Sequence, residues 1–87
     1  MRKSVFTPLY DAFRVRLVAM RQASRLTQRQ LAKKLGREHS FVSRMELGER
    51  RLDVLEFFWV CEACGWDAEN VARELFREFR RLEKMRE

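Results

Sequence analysis

The sequence predicts an all-α fold of five helices, and three observations carry that expectation. Only three glycines and one proline occur among 87 residues, and Pro8, Gly36, Gly48 and Gly65 each stand where a helical pattern starts or stops. Between them apolar residues recur at helical spacing, as in Tyr10, Phe13, Leu17 and Met20. No segment alternates apolar and polar residues as a half-buried strand would. A chain this short is expected to form one domain over residues 1–87 with one modest core. A hydrophobic content of 46% and an aromatic content of 11% set it apart from disordered chains, although 37% of it is charged.

Each helix carries its own boundary signals. Pro8 suits a first helical position, with Thr7 before it as cap, and the pattern of the first helix fades over residues 23–25. Thr27-Gln28-Arg29-Gln30 reads as a capping box, in which hydroxyl and amide side chains satisfy each other's backbone N–H groups. It opens a second helix over residues 28–35 with Leu31 and Leu35 inward and Ala32 small enough for a close crossing. Gly36 ends that helix in the left-handed conformation that costs glycine nothing. The third helix, residues 39–47, should bury Val42 and Met45 and stop at Gly48. Asp53, with Glu56 three residues on, starts the fourth, which runs to Cys64 and is closed by Gly65. Asp67 opens the last, where Val71, Leu75, Phe79 and Leu82 form a stripe that Phe76 widens.

Charge divides the chain. Residues 1–51 hold thirteen Lys/Arg against four acids, a balance of +9, whereas residues 52–87 hold six against nine, or −3. The first half is the candidate polyanion-binding half, with nucleic acid or an anionic membrane as partner. Its basic residues surround a motif with a buried face and do not lie opposite an apolar membrane-facing stripe, which favours nucleic acid over membrane. No run of eighteen apolar residues and no signal-peptide pattern occurs, so the expected setting is cytoplasmic. With no glycine-rich phosphate loop, no His-based triad and no ligand cluster, neither enzymatic activity nor a cofactor is expected. Cys61 and Cys64 form a C-x-x-C string late in the apolar fourth helix. With no second cysteine pair and only a lone histidine, His39, they read as buried thiols and not as a zinc or redox centre.

The informative segment is Thr27 to Gly48. Two short helices meet at a sharp turn: Ala32 permits the crossing, Gly36 turns the chain, and Val42 and Met45 anchor the second helix. That is the physical specification of a helix-turn-helix. The segment also resembles the Cro/repressor-like (lambda-repressor-like, Xre-type) DNA-binding family through Thr27-Gln28, Leu31-Ala32, Leu35-Gly36, Ser43 and Glu46-Leu47-Gly48, five spaced features in order. Leu47 departs mildly, since the family usually has a polar residue there.

The resemblance implies a five-helix domain that binds duplex DNA, and it implies roles residue by residue. Gln28 would bond a phosphate and buttress the recognition helix. His39, Ser40, Phe41, Ser43 and Arg44 would face base edges in the major groove. Their chemistry agrees: arginine can pair bidentately with guanine, serine can bond donors or acceptors, and phenylalanine can pack on a thymine methyl. The alternative for Phe41 is a core position under the second helix. Arg29, Lys33, Arg50 and Arg51 would neutralise phosphates, which sets register without reading sequence. Arg21 and Glu46 occupy the family's ion-pair positions beneath the motif, a structural role.

Alignment with the family turns Val54, Phe57, Phe58, Val60, Cys61 and Cys64 toward the domain and leaves Leu55 and Trp59 pointing away, the pattern of an interface. The alternative for Trp59 is a place along the surface against the last helix. The expectation is a homodimer through Leu55, Trp59, Phe76, Phe79 and Leu82, within residues 54–87, reading an inverted-repeat operator. The function expected is a transcriptional regulator, a repressor of a phage, plasmid, mobile-element or restriction-modification operon. The alternative is an antitoxin or adaptor whose partner is a protein.

Overall fold

A computed structural model describes residues 8–85. The described residues form α1 (Pro8–Ala23), α2 (Gln28–Leu35), α3 (His39–Leu47), α4 (Val54–Cys64) and α5 (Ala68–Met85), with no strand among them. The all-α expectation holds and the inner boundaries fall where the capping signals put them. The proposed Thr7 cap lies outside the described residues.

Reciprocal capping bonds open α2 and α4. Thr27 Oγ1 accepts from the Gln30 N–H at 3.1 Å while Gln30 Oε1 accepts from the Thr27 N–H at 2.8 Å. Asp53 and Glu56 repeat the arrangement at 2.8 and 3.0 Å. These bonds satisfy backbone donors that a helix start otherwise leaves to water. Gly36 closes α2 at φ +67°, a left-handed conformation that a side chain would strain. Arg25, between α1 and α2, holds φ +60° without being glycine.

Leu17, Met20, Leu31, Val42, Met45, Val60, Cys61 and Val71 are the largest side chains removed almost wholly from water. They come from all five helices, so each helix contributes one stripe to a single core. Phe13 bridges Tyr10 and Phe57, with ring centroids 5.6 Å apart on either side. Both thiols lie inside the core, and burial pushes Cys61 up to about 11, which leaves it protonated and unreactive near neutrality. Trp66 donates from Nε1 to Ser24 Oγ at 3.3 Å, and Arg16 pairs with Glu74, tying α1 to the start and middle of the C-terminal segment.

Two expected inward positions on α4 turn out to face water. Val54 is 83% and Phe58 46% exposed. The side of α4 that carries Glu56, Val60, Cys61 and Cys64 spans its buried arc, and Val54 and Phe58 fall outside it. Leu55 and Trp59 point outward as expected, at 51% and 47%. On α5, Phe76 is exposed, but Phe79 is half-buried against the core and bends the expected free seam back into the domain.

Candidate nucleic-acid interface

One buried carboxylate organises the helix-turn-helix. Glu46, on the inner side of α3, receives Arg21 of α1 in a two-point contact, Nε to Oε2 at 2.6 Å and Nη2 to Oε1 at 3.0 Å. A third guanidinium bond, Nη1 to the Leu26 carbonyl at 2.9 Å, fixes the turn before α2. The bonds from Glu46 outweigh desolvation and hold Arg21 more firmly protonated than a free arginine. Gln28 of α2 donates from Nε2 to Glu46 Oε1 at 2.9 Å, so a single side chain joins α1, α2 and α3. Arg14 completes the mount by donating to the Glu46 carbonyl at 2.8 Å, where the last carbonyls of α3 lack helical partners.

This mount leaves His39, Ser40, Arg44 and Leu47 exposed on the outer side of α3, with Ser43 half-buried and bonded back to the Ser40 carbonyl. His39 Nε2 lies 3.3 Å from Gln28 Oε1. Gln28 thus ties the starts of α2 and α3 together and still has one of its two N–H groups for another acceptor.

Phe41 does not face outward. It is 7% exposed and belongs to the core cluster. Phe41 and Met45 are four residues apart, so they share a row along the helix, and a nine-residue helix needs that row for anchorage. Two guanidiniums cover its ring, Arg37 with Cζ 4.1 Å and Arg50 with Cζ 4.7 Å from the centroid.

Arg50 is likewise not a free phosphate ligand. It makes a two-point pair with Glu56, at 3.0 and 2.7 Å, and Arg37 approaches the same carboxylate at 3.7 Å. The hydrogen bond from Arg50 holds Glu56 below the usual carboxylate range and raises Arg50 in return. Residues 37, 41, 50 and 56 form one knot joining the α2–α3 turn, α3, the α3–α4 loop and α4. Arg29, Lys33 and Arg51 are exposed, with Arg51 lying over the Tyr10 ring at 5.3 Å.

The knot was missed in the sequence because Glu56 already had a visible task in its capping box, and Arg37 follows a helix-ending glycine where a solvated residue is unremarkable. An open cleft of about 360 Å³ runs along this flank of α3, lined by Arg37, Ser40, Phe41, Arg44 and Arg50 among others. Arg37, Arg44 and Arg50 around one cleft, against Glu38 on its rim and the buried Glu56 behind it, leave a small surplus of positive charge beside the outer face of the helix. No cluster of three or more His, Cys, Asp or Glu fit to hold a metal occurs among the described residues, and no described helix is long and apolar enough to cross a membrane.

Two short helices locked at a glycine turn, the second presenting polar and basic side chains from a buried ionic mount, define a helix-turn-helix protein. The helix-turn-helix domain profile matches residues 12–75. A solved XRE-family like protein from Pseudomonas syringae pv. tomato str. DC3000 is 41% identical, with a TM-score of 0.78 over 80% of this chain and 85% of that one. No curated protein matches. The chain belongs to the Xre-type helix-turn-helix family of DNA-binding regulators.

Proposed function

We propose that this protein is a sequence-specific repressor that occupies an inverted-repeat operator as a homodimer, on a phage, plasmid, mobile-element or restriction-modification operon. The carrying observation is the outer face of α3, where His39, Ser40, Ser43 and Arg44 stand together on a helix fixed by Arg21 and Glu46. In this reading α3 lies in the major groove, and Arg44 pairs with the acceptor edge of guanine. Arg29, Lys33 and Arg51 hold phosphates on either side, Gln28 offers its remaining N–H to another, and Arg37 joins them on the turn. Two copies would place their α3 helices about 34 Å apart, one turn of duplex.

The outward row Leu55, Phe58 and Trp59 supports the pairing of two copies. The same row favours the second reading, an antitoxin or adaptor that covers it with a protein partner.

Selection of bound fragments from random duplex DNA tests the proposal. Arg44→Ala is expected to relax one position of the selected site at a cost of about 1–3 kcal/mol. Arg51→Ala should weaken all sequences alike and lower the salt slope by about one. Identical behaviour of the two variants would remove the distinction between base-reading and phosphate-holding residues.

A further inference from the structure

We propose that His39 reads, through Nδ1, a base bearing an exocyclic amino group, because Gln28, itself oriented by Glu46, holds its imidazole in the Nε2–H tautomer. The inference rests on the DNA-reading role of α3 proposed above and deepens it.

The chain of reasoning starts in the buried ion pair. Arg21, which can only donate, bonds both carboxylate oxygens of Glu46, so both oxygens are acceptors. The Gln28 atom 2.9 Å from Glu46 Oε1 must therefore be the amide nitrogen. An asparagine or glutamine amide on a surface can turn over at little cost, but here the reversed orientation would set oxygen against oxygen. The amide oxygen is consequently the atom turned toward His39, at 3.3 Å from Nε2. An amide oxygen cannot donate, so Nε2 must carry the proton.

In the neutral ring that leaves Nδ1 without hydrogen, as an acceptor. Nδ1 has no hydrogen-bond partner among the described residues, and the side chain is exposed at the first position of α3. An acceptor at that place pairs with cytosine N4 or adenine N6 in the major groove and is repelled by guanine O6 and thymine O4. Arg44, a donor only, is suited to guanine on the same helix. The two residues then read opposite hydrogen-bond polarities, and Gln28 acts as a positioning residue for the first.

Two measurements separate this proposal from the reading it rests on. In the DNA-free, ¹⁵N-labelled chain at pH about 8.5, where an imidazole is neutral, long-range ¹H–¹⁵N correlation of His39 should show widely separated ring nitrogens, with the proton on Nε2. In Gln28→Leu the two resonances should move toward each other as both tautomers become populated. A proton on Nδ1 in the wild type, or an unchanged spectrum in a folded Gln28→Leu, overturns the tautomer assignment.

In duplex selection at the same pH, the position relaxed by His39→Ala should carry cytosine or adenine in the wild type, preferred of the order of fivefold. Gln28→Leu should reduce that preference while leaving the position read by Arg44 intact. Guanine or thymine at the His39 position overturns the base-reading half. Failure of the wild type to select any duplex would sink the DNA-reading role itself and the base-reading half with it, whereas the tautomer result would stand or fall on the spectrum alone.

Discussion

Glu46 joins three helices, since its carboxylate links Arg21 of α1 to Gln28 of α2 and its backbone carbonyl receives Arg14. Glu46→Gln would leave the Arg21 guanidinium enclosed without a counter-charge, and a cost of about 3 kcal/mol is expected. For a domain of this size that is a fall in Tm of more than about 10 °C, measurable by thermal denaturation. Unchanged Tm and DNA affinity would contradict the structural role. The pair itself was legible from the family resemblance, and the geometry shows why those two residue types serve: the arginine fork meets both carboxylate oxygens and still reaches a backbone carbonyl. Phe41 was less legible. Its position on a nine-residue helix allows either a groove-facing or a core role, and the deciding partners, Arg37 and Arg50, lie outside the helix in segments whose paths no periodicity describes.

At the scale of elements, capping boxes and glycine stops marked the helices, because both are short-range chemistry written within four or five residues. The relation between α3 and α4 was not marked, because it depends on a residue of α4 reaching back to the preceding loop. Glu56 makes that connection through Arg50 and Arg37. Its folded-state pKa is depressed, so its stabilisation is present at pH above the ordinary carboxylate value and is lost as pH falls through the lower folded value. Thermal melts between about pH 7 and pH 3 should accordingly show a loss of stability below about pH 4.5. Glu56→Gln should lower Tm at neutral pH and flatten that acid limb. A variant that kept the full acid dependence would assign it to other carboxylates. The outward turn of Val54 and Phe58 belongs here too: α4 is apolar on nearly every side, so its sequence offers little contrast by which to choose its buried arc.

For the whole molecule, the division of charge and apolar surface makes the assembly testable. The basic half contains the helix-turn-helix, and the acidic half contains the exposed Leu55, Phe58 and Trp59. Light scattering at micromolar concentration is expected to give twice the chain mass of 10.6 kDa, and Leu55→Asp should reduce it to one. Because Leu55 is half exposed within the chain, its replacement should change the stability of each copy by no more than about 0.5 kcal/mol. A wild-type monomer that binds a single half-site would refute the dimer. Within each copy, α3 separates its obligations: Phe41, Val42, Met45 and Glu46 hold it in place, while the side chains of Ser40, Arg44 and Leu47 are exposed and make no hydrogen bond or ion pair among the described residues. Mutation at the second group therefore meets almost no folding constraint. On the proposed role of α3, a lineage carrying this domain could change its target one outward residue at a time, with every intermediate still folded, so that its repertoire of sites would be open to selection while its architecture is not.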